Sequence, residues 1–407
     1  MKKYLFLLFI FSLSCRVPAQ WVQISNGMGI ERGVTSLAHN GNYLFAGTVS
    51  GVYRNVNDIW SRVGFANKEI HGLVALGGII FAGVEDSGIC VSSNNGTNWS
   101  KTPFMYPTVN CLYVDGGKLY TATNQGGFYV SSDYGNNWNA FLTNEYIFSV
   151  TAEGSVICAG GFYRVSVSSN NGISWNSTDL TGDVASAKIK GSYIFIGLYG
   201  NGLLVSTNFG LQWQSYAADI STILSYAFSG NNLLVGKSNN PSIAGGVYLT
   251  TNYGYNWINL NQGFNGLPAV SSLLIVNDYI YAGAITGNSN YLAVWKRPLS
   301  EILEVNNLQT TIPLEFELYQ NFPNPFNPST NIKFSIPENG KVKTENNFVV
   351  LKVYNLLGRE VATLVNEHLE PGTYSVTFDG SELSSGVYYY KLTAGSYSET
   401  RKMVLIK

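Results

Sequence analysis

The chain has 407 residues, a formal net charge of -1 and charged side chains at only 12 % of positions. That length allows two or three domains, each with its own core, and the near-neutral balance excludes the basic footprint of a nucleic-acid-binding surface. With 43 Gly and 27 Tyr, the composition fits short strands joined by tight turns and argues against long helices, so the expected fold class is all-β.

The N-terminus reads as an export signal, residues 1–19. Lys2 and Lys3 give a positive start, Tyr4 to Leu13 an apolar run, and Val17-Pro18-Ala19 a small-residue cleavage site before Gln20. The run is shorter than a spanning helix requires, and no other stretch is long and apolar enough, so the mature chain is expected to carry no transmembrane helix. Cys15 raises the alternative of a lipid anchor, although Ser12 stands where a lipoprotein signal has leucine. After cleavage Cys90, Cys111 and Cys158 remain. They form an odd set within expected strands, read as core packing, with one disulfide as the alternative.

Seven tryptophans, Trp21, Trp60, Trp99, Trp138, Trp175, Trp213 and Trp257, then recur at intervals of 39, 39, 39, 37, 38 and 44 residues. A period of about 40 residues with four short strands is that of a β-propeller blade. Each unit has a second strand such as YLFAGT (43–48), IIFAGV (79–84) or YIYAGA (279–284). A third strand follows and runs into a Ser/Thr-x-Asn/Asp-x-Gly-x-x-Trp turn. The small pairs Ala46-Gly47, Ala82-Gly83 and Ala282-Gly283 fit places where neighbouring blades crowd together.

Five turns are clear: Asn94, Gly96 and Trp99; Asp133, Gly135 and Trp138; Asn170, Gly172 and Trp175; Asn208, Gly210 and Trp213; Asn252, Gly254 and Trp257. Over residues 21–300 the chain resembles the Asp-box (BNR) repeats of sialidases, xyloglucan-specific endoglucanases and photosystem II assembly factors of the Ycf48 type. The resemblance implies a hairpin turn between third and fourth strands, with the amide or carboxylate bonding to turn amides and Gly at positive φ. Asn replaces the acid in four of the five turns and makes the same local bonds. The first unit, YRNVNDIW (53–60), is degenerate and one residue short. Side chains repeated once per blade cannot converge on one substrate, so these turns are structural.

Closure is legible from the ends. Residues 271–297 offer three strands and no box, while the segment around Trp21 is a fourth strand with no three before it. Joining them makes the seventh blade and removes two unpaired edges. The propeller is thus expected over 20–300, a linker over 301–315, and a second domain over 316–407. There LYQNFPNPFNPSTNIKFSIP opens with Pro323, Pro325 and Pro328, which forbid a central strand, before Ile332, Phe334 and Ile336 alternate. Strands at 349–355, 373–378, 387–393 and 400–407 complete a small Ig-like β-sandwich. YQNFPNPFNPST, VYNLLGREVATLVN, LEPGTYSVTFDGSELSSGVYYYKL and the ending RKMVLIK closely resemble the type A sorting domain of the type IX secretion system. The resemblance implies a Gram-negative cell of the Bacteroidetes/Chlorobi kind, the type IX machinery as partner, and a passenger released or held at the cell surface.

For the propeller, sialidase chemistry would need three clustered arginines. Only Arg32, Arg54, Arg62, Arg164 and Arg297 are present, none in the expected setting. Glu85, Asp86, Glu145, Asp179, Asp183 and Asp219 fall on the loops opposite the boxes. A glycoside hydrolase using two of these carboxylates is therefore the alternative reading. His39, His71 and His368 are scattered and no metal spacing exists. No catalytic residue, metal or cofactor is assigned. The leading expectation is a non-enzymatic, exported propeller that binds a glycan or protein through that loop face. Candidate ligand residues are Glu85, Asp86, Phe104, Tyr106, Asn124, Tyr163, Arg164, Tyr199 and Asn201.

Overall fold

The computed structural model describes residues 20–29, 33–216, 222–230, 232–239, 245–254, 257–264, 266–286, 293–302, 316–337, 348–369, 372–395 and 397–407. Two compact units divide the chain, Met1–Glu301 and Ile302–Lys407. In the first, seven four-stranded antiparallel sheets follow one another. Blade 1 spans Val34–Gly64, blade 2 Ile70–Lys101, blade 3 Cys111–Phe141, blade 4 Ile147–Asp179, blade 5 Val184–Tyr216 and blade 6 Ile223–Asn259. Blade 7 takes three strands from Ala269–Pro298 and its fourth, Val22–Gln23, from the other end of the chain. Val22 pairs with Lys296 and Gln23 with Trp295. The ring is therefore closed by hydrogen bonds between the two ends of the unit, as the sequence pattern requires.

The innermost strand of each blade packs on that of the next, and the last of them packs on the first. Two devices make this close approach work. One is a glycine in the second strand facing a β-branched residue of the next blade. A Cβ on Gly47 would lie 2.7 Å from Ile70, on Gly83 2.3 Å from Val109, and on Gly283 2.5 Å from Val34, across the closing junction. The second is a β-bulge near the start of the inner strand, between Val34 and Ser36 in blade 1 and at matching places in blades 2, 4, 5, 6 and 7. The bulge exposes a carbonyl, and a side chain of the preceding blade donates to it. Thr35 donates to Ile70 O, Asn110 Nδ2 to Ile147 O at 2.7 Å, Ser225 Oγ to Val270 O at 3.0 Å, and Ser271 to Val34 O. These bonds satisfy buried backbone groups that the bulge would otherwise leave unpaired.

The repeated tryptophans also couple blades. Trp21 Nε1 donates to Leu260 O at 2.7 Å, Trp60 Nε1 to Ile24 O at 2.5 Å and Trp99 Nε1 to Val63 O at 3.0 Å. Each acceptor lies on or just after the outer strand of the preceding blade. Trp138 and Trp175 donate instead to their own turn glycines, Gly135 and Gly172. Arg297 is buried and donates to the same Leu260 O, at 2.9 Å. It ties blade 7 to blade 6 rather than facing a ligand.

Within the repeated turns the geometry is the same wherever the residues are described. In the first, Gly96 N donates to Ser92 Oγ at 2.9 Å, Ser92 Oγ to Asn94 Oδ1 at 3.0 Å, and Asn98 N to Asn94 Oδ1 at 2.9 Å. The glycine and the residue before it both take positive φ, 58° at Asn95 and 83° at Gly96. Blade 1 differs. Its third and fourth strands join through Asn57-Asp58, both at positive φ, with Val56 opposite Ile59. This tight two-residue turn replaces the box.

Asp133 alone carries a carboxylate in these turns. The Asn137 side chain and amide, with the Ser131 hydroxyl, hold its carboxyl below the usual range. A depressed pKa adds stability above the unfolded value that disappears as pH falls through the folded value. The wild type is thus expected to lose more melting temperature than Asp133→Asn as pH drops below about 3.9. Parallel acid melts of the two proteins would show no difference if the turn contributes nothing.

The second unit is a sandwich of two sheets. One is ordered Glu317–Leu318, Ser329–Ile336, Gly372–Asp379, and the other Glu360–His368, Phe348–Asn355, Gly386–Ala394, Tyr397–Leu405. Ile332, Phe334 and Ile336 point inward against Val349, Leu351, Val353, Tyr390 and Leu392. The strand Glu360–His368 was not expected from sequence. It lies at a sheet edge and buries only Val365, so it shows no alternating pattern.

Candidate functional site

In an antiparallel blade, the loop between second and third strands and the link from fourth strand to the next blade emerge at the same end. The sequence-derived candidates occupy this loop face, and the structure sorts them. Between blades 4 and 5, Phe162 (60 % exposed), Tyr199 (54 %), Tyr163 (50 %) and Tyr146 (43 %) present their rings to solvent. Phe162 and Tyr163 meet edge to face with centroids 4.9 Å apart, and Tyr146 lies 6.4 Å from Phe162.

Backbone restraints aim this cluster. Tyr163 sits at φ 51°, and its amide donates to Asp183 Oδ1 at 3.1 Å while its carbonyl accepts from Leu180 N at 2.8 Å. Tyr199 N donates to Asp183 O at 2.9 Å. Asp183 thus ties the two tyrosine loops together. Burial raises the Tyr199 hydroxyl pKa, with the Asp183 charge adding to it. Beside the rings, Arg164 Nε donates to Asp179 Oδ1 at 2.9 Å and its guanidinium lies 3.9 Å from Glu145. The hydrogen bond to Asp179, then the charges of Asp179 and Glu145, raise the arginine's pKa. Asn201 completes this edge, exposed on the Tyr199 loop.

Other candidates lie apart. Asp86 is exposed and pairs with Lys68 at 3.4 Å, and Glu85 Oε2 accepts from Glu69 N at 3.4 Å. Asn124 is exposed and accepts from Asn110 Nδ2 at 2.9 Å. Phe104 requires correction. Its ring is 3 % exposed, wedged against Tyr106, Tyr129 and Trp138, and it fills a gap between blades rather than facing a ligand. Tyr106 is half-buried in the same group. Asp219 and Arg32 lie outside the described residues. The sequence reading missed Tyr146 and Phe162, whose only signal was adjacency to Glu145 and Tyr163.

Among the described residues no group of His, Cys, Asp and Glu could hold a metal. Cys90, Cys111 and Cys158 are free. Burial pushes the Cys158 thiol up to about 12 and Cys111 up to about 11, so neither is a ready nucleophile. Arg54 donates to Asn95 O and Arg297 is buried. Neither joins Arg164 in a three-arginine clamp.

Residues 320–407 match the secretion system C-terminal sorting domain family. No curated protein matches the chain. Among solved structures, YCF48 bound to D1 peptide is similar at 13 % identity and TM-score 0.52, over 70 % of this chain and 96 % of that one. YCF48 from Cyanidioschyzon merolae gives the same identity and TM-score over 70 % and 99 %. The extracellular domain of the hybrid two-component system BT3049 from B. thetaiotaomicron is similar at 12 % identity and TM-score 0.56, over 96 % of this chain and 58 % of that one. At such identities these likenesses show a fold, a β-propeller. The protein is a β-propeller with a type IX sorting tail, which directs it to the exterior or surface of a Gram-negative cell.

Proposed function

We propose that the propeller is a non-enzymatic module that binds a glycan across blades 4 and 5. The observation that carries this reading is the exposed ring cluster Tyr146, Phe162 and Tyr163, with the exposed Tyr199 on the loop tied to it by Asp183, beside Arg164, Glu145 and Asp179. Rings stack on the apolar faces of sugars, and charged and amide groups between them bond hydroxyls. Rings and arginine also suit protein interfaces, but carboxylates such as Glu145 and Asp179 are depleted there, and that tips the reading toward a sugar.

Hydrolysis by two carboxylates is the second reading, because Glu145 and Asp179 stand on the same face. Arg164 lies against both and Asp179 is largely exposed. A retaining or inverting pair instead flanks the scissile bond in a groove. A polysaccharide array probed with the mature chain, run with a reducing-sugar assay, separates the two. Phe162→Ala with Tyr163→Ala is expected to weaken binding at least tenfold and leave the melting temperature unchanged. Sugar release that disappears in Glu145→Gln would establish the hydrolase instead.

A further inference from the structure

We infer that the hairpin tip Leu356-Leu357, with Ile406 beside it, is the surface by which the sorting domain docks on the secretion machinery, in an apolar pocket with a carboxylate at its rim. It does not depend on what the propeller binds. In this unit Leu357 is 92 % exposed, Leu356 69 % and Ile406 51 %. Strand register brings the three to one end of a sheet. Asn355, the last residue before the tip, lies opposite Tyr388, and Leu405 lies opposite Gly386. Leu356 and Ile406 therefore leave the sheet at the same end, two strand spacings or roughly 10 Å apart. Phe348, the remaining exposed large hydrophobic described in this unit, stands at the far end of its strand against His368.

The fold does not need leucine at this tip. Asn355 builds the turn: its Oδ1 accepts from Leu357 N and Arg359 N, both at 3.0 Å, and its carbonyl accepts from Gly358 N at 2.9 Å, while Gly358 takes φ 77°. Neither leucine joins the core of the sandwich. Adjacent leucines fixed in water by a rigid turn offer apolar area that only a partner can cover. Because the turn is already ordered, docking fixes little further backbone.

Charge narrows the chemistry of the partner. Just after the tip, Glu360 is taken up by Lys352 at 2.8 Å, whereas the exposed Arg359 makes no ion pair among the described residues. A carboxylate beside an apolar pocket complements that guanidinium. The occupant follows from the match of residues 320–407 to a secretion system sorting domain, which is handled by that machinery.

Cell fractionation of a type IX-secreting strain that expresses the full-length chain tests the surface. Leu356→Ser/Leu357→Ser is expected to lower the secreted fraction at least tenfold, with the protein held in the periplasm and its melting temperature unchanged. Leu356→Met/Leu357→Met, which keeps the tip apolar, should be secreted normally. So should Ile173→Ser/Leu211→Ser, which removes comparably exposed side chains from the propeller. Arg359→Glu should reduce secretion even if the serine variant folds poorly. Secretion of either Leu356→Ser/Leu357→Ser or Arg359→Glu at the wild-type level overturns the inference, as does an equal loss in the propeller variant. A dimer of the purified chain that the serine substitutions dissociate, seen by sedimentation, also overturns it and assigns the leucines to a second copy.

Discussion

Trp21→Ala is expected to destabilise the propeller by about 4 kcal/mol, a large fraction of the roughly 5 to 15 kcal/mol that holds a domain folded. The indole is 2 % exposed and stacks on Phe264 at 4.9 Å, and Phe264 in turn meets Trp295 edge to face. Its Nε1 bond to Leu260 O and its amide bond to Gln262 O join the segment that supplies the last strand of blade 7 to blade 6. Loss of the side chain therefore weakens the one junction made from both ends of the unit. Trp213→Ala is the control, since that indole is half-buried and its Nε1 has no partner among the described residues. Urea denaturation should give a clearly smaller loss for Trp213→Ala. Equal losses would show that closure has no special weight.

Removing Val404–Lys407 is expected to stop secretion and leave the protein in the periplasm. The proline-rich opening of the sorting domain makes no regular strand and is held by the end of the chain. Phe326 N donates to Val404 O and Ile406 N to Phe326 O, both at 2.9 Å, and Val404 N donates to Asn324 Oδ1 at 2.8 Å. Phe326 itself is buried in the core. Without these partners the Asn324–Phe326 end of the segment loses its anchor along with Leu405, while Phe322 keeps its pair of bonds to Asn331. Cell fractionation measures the result. Secretion of the truncated chain at the wild-type level would mean that the opening segment needs no such anchoring. A milder change, Tyr390→Phe, removes a buried hydroxyl that donates to Tyr319 O and accepts from Asn321 N. It should cost only about 1 to 3 kcal/mol, and secretion should persist.

Much of the architecture was legible because it is periodic. Trp21 to Trp257 marked the blades, a three-strand remnant at one end and a lone strand at the other implied closure, and Gly47, Gly83 and Gly283 marked the crowded positions. Each signal recurs, so chance agreement is small. Features of single junctions were not legible. Phe104 reads as a loop aromatic, but its ring turns inward against Tyr129 and Trp138 because blades 2 and 3 leave a gap there. Phe162 is one of 21 phenylalanines, and only the positive φ at its neighbour Tyr163, fixed by Asp183, accompanies its outward aim.

The sequence alone settled how many blades there are and how the ring is sealed, since these follow from residue spacing and local turn chemistry, while its destination was legible only through the resemblance of the C-terminal residues to a sorting domain. Tertiary structure decided which side chains share a surface. Tyr146, Tyr163 and Tyr199 come from three different loops, and Asp58 lies beside Lys296 only because the two ends of the unit are brought together. Such juxtapositions depend on the rotation from one blade to the next, which no local pattern encodes.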